Sequence, residues 1–119
     1  MSYVDGFVVP VPKSKLDAYK KMAETAKKVW LKYGALDYVE AVADDVKWGK
    51  TTSFPRSVKR KSGETVVFAY IKYKSRAHRD SVMKKVMKDP VLANCCDPKN
   101  LPFDGWRMIF GGFKVIVSK

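Results

Sequence analysis

Histidine occurs once and cysteine twice in the 119 residues. One imidazole, His78, and two adjacent thiols, Cys95 and Cys96, make a poor ligand set without zinc spacing, so no metal is expected. Adjacent thiols cannot staple distant segments, and a disulfide between them would be strained, which fits a reducing cytoplasm. No apolar run approaches the roughly 18 residues of a membrane span, and Met1 to Val11 contains an acid and no basic leader, so neither a membrane segment nor export is expected. A phosphate-cradling loop is missing as well: Gly111-Gly112 lies inside a strand-like run, where glycine marks a bulge or a close backbone approach. There is no nucleophile elbow or triad, and nothing in the sequence calls for a cofactor.

Hydrophobic residues make up 46% of the chain, enough at this length for one domain, residues 1–119, and too little for two. Basic residues outnumber acidic ones 24 to 12, giving a net charge of +12. The excess lies on Lys13–Lys32, on Lys47–Lys61, which holds no acid, and on Lys72–Lys88; Asp37, Glu40, Asp44 and Asp45 form the single acidic cluster. Such a balance suits either a solvated surface or a polyanionic partner such as nucleic acid.

Tyr3 to Val11 alternates as a strand, and Pro10 and Pro12 place its end at a sheet edge or outside the sheet. Ser14-Lys15-Leu16-Asp17 has capping-box spacing, opening a helix whose apolar stripe is Leu16, Tyr19, Met22, Ala23, Ala26, Val29, Trp30 and Tyr33; Gly34 ends it. Leu36–Val46 is expected to be a strand, with Tyr38 and Val42 opposing Val39, Ala41 and Ala43. Residues 47–63 are irregular, though Trp48 and Phe54 imply that some of this segment packs. Thr65–Tyr73 is a third strand, Ser75 caps a second helix running to Asp89-Pro90, and Val91–Leu101 is a short helical turn and loop. A last strand enters through the Asp104-Gly105 turn and runs from Trp106 to Val117, bent at Gly111-Gly112 and apolar on both faces. The order is βαββαβ, an α+β ferredoxin-like fold with an antiparallel sheet and two helices on one face. A second apolar sheet face then predicts a homodimer in which two sheets meet.

Several pieces resemble one family: Tyr3-Val4-Asp5-Gly6-Phe7-Val8-Val9 with Val11-Pro12, Gly34-Ala35, Val66-Val67-Phe68, Ser75 with Arg79-Asp80, Asp89-Pro90, and Pro102-Phe103-Asp104-Gly105 with Arg107-Met108-Ile109 and Gly111-Gly112-Phe113. Together they resemble the YbaA-like family of small bacterial proteins of unknown function. The resemblance implies a dimeric α+β barrel, within the superfamily that holds cofactor-independent antibiotic-biosynthesis monooxygenases, haem-degrading oxygenases and muconolactone isomerases. Function diverges widely on that scaffold.

Arg79 falls inside the apolar stripe of the second helix, formed by Val82, Met83, Val86 and Met87. A guanidinium there needs an anionic or carbonyl-bearing ligand, or a structural ion pair with Asp5 or Asp104; the ion pair is the simpler reading. Asp5 and Asp104 beside glycine suit either a base in an apolar cleft or a turn-fixing role. Arg107 is placed to join the same polar cluster, and Trp48 to line an aromatic pocket with Tyr19, Tyr70, Tyr73 and Trp30. His78 is expected on the solvated side near Lys85. The leading expectation is a cytoplasmic homodimer binding a small organic ligand between helices and sheet, as a cofactor-independent oxygenase or isomerase, with Arg79, Asp5, Asp104, Arg107 and Trp48 as ligand-binding candidates. Two alternatives remain: a basic RNA-associated protein, and a structural or regulatory dimer without a ligand.

Overall fold

Backbone pairing across the longest extended runs sets the architecture. In the computed structural model, which describes residues 2–119, β1 (Tyr3–Pro12) lies between β3 (Glu64–Tyr73) and β4 (Ile109–Lys114), and β2 (Asp37–Val42) flanks β3. The sheet order is β2-β3-β1-β4 and every neighbouring pair is antiparallel. Side chains alternate across it. One face carries Tyr3, Asp5, Phe7, Val9 and Val11 of β1 opposite Tyr73, Ile71, Ala69, Val67 and Thr65 of β3. This face meets α1 (Leu16–Lys32), α3 (Arg76–Val86) and the short α4 (Pro90–Cys95), which bury Ala26, Val29, Val82, Val86 and Leu92 against it.

Pro10 and Pro12 do not interrupt the ladder. Val66, which faces Pro10 across β1 and β3, turns its carbonyl to Ala43 of the β2 side, so Pro10 directs its nitrogen the other way. There β4 has already ended, since its last partner on β1 is Val8. A residue without N–H is harmless at that free edge.

The start of α1 differs from the expected capping box. The chain leaves β1 directly into a 3-10 turn, Lys13–Lys15, anchored by the Lys13 N–H donating to the Gly63 carbonyl at 2.9 Å. Lys15 becomes the N-terminal boundary of α1 with no side-chain cap, and Ser14 is left inside the turn. Ser75 does cap α3, accepting from the His78 N–H at 3.1 Å. His78 completes this cap: its Nδ1 accepts from the Lys74 N–H at 3.0 Å, and its ring meets Tyr73 edge-on. It is half-buried instead of solvated. The helix ends at Val86, because Asp89 caps α4 by accepting from the Val91 N–H at 2.8 Å.

The last strand is shorter than its apolar run. β1 begins at Tyr3, the partner of Lys114, so beyond that point β4 has no neighbour to pair with. Val115 still donates to the Ser2 carbonyl at 3.1 Å, while Ile116 and Val117 are 84% and 86% exposed. Its register against β1 is continuous through Gly111 and Gly112, so neither forms a bulge. Gly112 instead answers a close approach: a methyl group there would meet the Tyr3 ring at 2.8 Å.

The sheet's second face carries Val4, Val8, Phe68, Tyr70, Ile109 and Phe113. At one end α2 (Phe54–Ser57) packs on it, with Phe54 against Phe68 at 5.9 Å and with Pro55 and Val58 buried. The remainder is open: Phe68, Ile109 and Phe113 are 46%, 45% and 64% exposed. No helix among the described residues is long and apolar enough to cross a membrane.

Candidate ligand cleft and its surroundings

Glu40 is the residue around which a cleft between helix and sheet is built. It sits in β2, on the parity of Tyr38 and Val42, and therefore faces α1 and not the open sheet face. The cleft between α1 and β2 measures about 610 Å³, within the ordinary range for a small-molecule site. Ala23, Val42 and Val67 supply apolar lining, and Glu40, Tyr19 and Tyr38 supply a polar centre. Tyr38 donates its hydroxyl to Glu40 Oε2 at 2.7 Å, and Tyr19 donates to Oε1. Burial first, and the Glu40 carboxylate second, hold both phenols far above the ordinary tyrosine value, so they stay protonated as donors. Each ring is braced from behind, Tyr19 by Phe103 at 5.6 Å and Tyr38 by Trp30 at 6.0 Å. No lysine or arginine among the described residues pairs with Glu40.

None of Asp5, Trp48, Arg79, Asp104 and Arg107 lines this cleft. Arg79 reaches from α3 to β1, donating Nη1 to Asp5 Oδ1 at 2.6 Å and Nε to Asp80 Oδ1 at 2.7 Å, with its guanidinium 5.1 Å from the centre of the Tyr3 ring. Burial raises the Asp5 carboxyl above the ordinary aspartate value, opposed by the charge and hydrogen bond of Arg79 and by Tyr73. Tyr73, fully buried, accepts from Trp30 Nε1 at 3.1 Å. Arg79, Asp5 and Tyr73 thus each have a protein partner within this cluster.

Asp104 and Arg107 form a second cluster, separate from Arg79. Arg107 grips Glu64 with two parallel bonds, Nη1 to Oε1 at 2.8 Å and Nη2 to Oε2 at 2.6 Å, and gives Nε to Asp104 at 2.9 Å. Its Nη1 also donates to the Lys59 carbonyl at 3.0 Å. One guanidinium thus ties the turn before β4 to the first residue of β3 and to the loop after α2. The fork geometry of arginine is what permits this; lysine has no equivalent. Arg107 in turn holds the Glu64 carboxyl below the usual glutamate range.

Trp48 lies on the surface, with the guanidinium of Arg56 over its ring at 4.6 Å and that of Arg60 at 5.5 Å. Cys95 and Cys96 are free thiols with their sulfurs 2.9 Å apart, and burial together with Cys95 pushes the Cys96 thiol up to about 12. Sequence reading overlooked Glu40 because it was grouped with its acidic neighbours. Its shared parity with Tyr38 and Val42 was the available signal, since it sets a carboxylate on the helix-facing side of an edge strand.

Fold and cleft together define an α+β protein with α1, α3 and α4 on one face of a four-stranded antiparallel sheet and a carboxylate-centred cleft at one edge. The family model described as "Protein of unknown function (DUF1428)" matches residues 2–105, and the chain belongs to this family. It is 46% identical, over 119 residues and the whole of both chains, to "Uncharacterized protein YbaA" of Escherichia coli strain K12, and equally to the proteins of that name in Escherichia coli O157:H7 and Shigella flexneri. Among solved structures it is similar in fold to the de novo designed protein Foldit4, at 7% identity and a TM-score of 0.50, covering 97% of this chain and 99% of that one.

Proposed function

We propose that this protein is a ferredoxin-like α+β barrel that works as a cytoplasmic homodimer and holds a small organic ligand in the cleft between α1 and β2. The observation that carries the reading is Glu40 in a partly apolar cleft with a protonated tyrosine on each oxygen. Two fixed donors and braced rings preorganise the carboxylate before any ligand arrives. Held this way, the carboxylate keeps acceptor capacity on each oxygen and anchors the polar end of a ligand, a role open to an isomerase or oxygenase without a cofactor. Arg79, Asp5, Asp104 and Arg107 then act as the frame, each already satisfied by a protein partner.

The test is a ligand screen by native mass spectrometry on wild-type protein and on Val42→Trp. Val42 lines the cleft and is 49% exposed, so the indole fills the cleft from an edge strand that tolerates it. Small organic ligands retained by the wild type and lost in Val42→Trp are expected. Equal retention by both proteins would place binding elsewhere.

One further observation favours a second reading. Trp48, with Arg56 and Arg60 over it, sits in the acid-free Lys47–Lys61 segment, a composition suited to single-stranded RNA. RNA titration at two salt concentrations decides it, because phosphate-driven binding weakens steeply as salt rises.

A further inference from the structure

The cleft's lining differs in sign from the rest of the molecule. The chain carries a net charge of +12, yet the cleft is lined by Asp17, Glu24 and Glu40 against Lys20 and Lys27. Lys27 is already paired with Glu24 at 3.0 Å, which leaves the centre of the cleft to Glu40. Charges elsewhere on the surface are damped over about 10 Å at 0.1 M salt, so the nearby carboxylate dominates what a bound ligand feels.

Both Glu40 oxygens accept one phenolic proton, and each keeps acceptor capacity for a second donor. The two tyrosines add acceptor oxygens of their own and present aromatic rings beside the carboxylate. An anionic ligand group at this position would meet a like charge. A neutral hydroxyl would leave the carboxylate without a counter-charge in partly desolvated surroundings. A protonated amine supplies both what the oxygens lack, N–H donors and positive charge, and ammonium groups are attracted by aromatic faces.

We propose that the ligand of the α1–β2 cleft is an organic cation, an amine with at least one N–H, whose charged end binds Glu40 between Tyr19 and Tyr38 and whose apolar body lies along Ala23, Val42 and Val67. This assignment rests on the cleft being the ligand site and adds the ligand's class to it. Glu40 serves as the counter-ion, and Tyr19 and Tyr38 are positioning residues that hold its oxygens in place.

Three probes of one shape and different charge test it: benzylamine, benzyl alcohol and benzoate, titrated into the full-length protein at neutral pH. Binding is followed by the backbone amide signals of Tyr19, Tyr38 and Glu40. Benzylamine is expected to bind at least about ten-fold more tightly than either other probe, the scale of a charge-assisted bond. Glu40→Gln, which keeps the size but removes the charge and turns one acceptor oxygen into a donor amide, is expected to remove that preference. Benzoate or benzyl alcohol binding in the cleft as tightly as benzylamine would overturn the cation assignment and leave the cleft as a ligand site. Failure of all three probes to shift these signals would overturn the cleft itself. The comparison among probes is made on the wild-type protein, so it does not depend on how any variant folds.

Discussion

Arg107 shows how one side chain can hold three segments. Replacing it with leucine keeps much of the packing but leaves Glu64, whose side chain is 8% exposed, charged and without its partner. Removing one member of a buried pair costs about 3–5 kcal/mol, so Arg107→Leu should lower the urea midpoint far more than a surface substitution does. The same pair has a pH signature. Arg107 holds the folded-state value of Glu64 below the ordinary 4.5, so the unfolded chain binds the proton more readily. The stability this contributes is complete above pH 4.5 and is lost as pH falls below it towards the folded value. Glu64→Gln is therefore expected to be less stable than wild type at pH 7 and to lose less on acidification below 4.5, measured by urea unfolding at several pH values. Asp5 acts in the opposite sense, because burial raises its folded value above the ordinary 3.8 and protonation there favours the folded state. A parallel decline of wild type and Glu64→Gln would remove Glu64 from the acid response.

At the scale of elements, α3 depends on its cap more than its composition suggests. The helix is 11 residues long and, apart from Val82 and Val86, largely polar, so intrinsic propensity holds it weakly. Ser75 and His78 satisfy backbone N–H groups reciprocally, on His78 and on Lys74. Ser75→Ala should cost about 1 kcal/mol, read as a lower thermal midpoint and as faster amide exchange in the first turn of α3. Unchanged exchange at His78 would show that this cap does not hold the turn. Because α3 also carries Arg79 to Asp5, the loss extends to the contact with β1. Elements of this kind were legible in the sequence wherever period and punctuation agreed. Ser75, the α1 stripe and the alternation of β1 and β3 all place residues where the structure has them. Boundaries set by a neighbour were not. Nothing local tells Trp106–Met108 that the edge of β1 beyond Val8 stays unpaired, nothing tells Val115–Val117 that β1 offers no partner there, and nothing local tells Ser14 that a 3-10 turn will absorb it. The cleft was hidden for a related reason, since Tyr19 and Glu40 are 21 residues apart and meet only when β2 takes its place beside β3.

For the whole molecule, the open sheet face raises a question of area. Two strands of ten residues and two of six, spaced about 4.8 Å apart, project on the order of 500 Å², before side-chain relief is added. A stable interface buries about 800 Å² on each partner. Sheet-to-sheet contact through Val8, Phe68, Ile109 and Phe113 is thus a good centre and too small by itself. The apolar residues around β4 lie where the remainder is needed: Trp106 is 98% exposed, and Ile116 and Val117 nearly as much. Exposed apolar area of this extent is uncommon on a solitary domain and characteristic of an interaction surface. In the proposed homodimer both parts contribute, which separates two kinds of variant. Phe113→Glu puts a charge at the centre, in place of a ring that lies beside Gly6. It is expected to yield a monomer by size-exclusion chromatography with light scattering. Removing residues 115–119 takes away only flanking area and should weaken the dimer without abolishing it, so that the mass becomes dependent on concentration. Wild-type protein that elutes with the mass of one chain at micromolar concentration would sink the dimer, and with it the account of why this sheet is apolar on both faces.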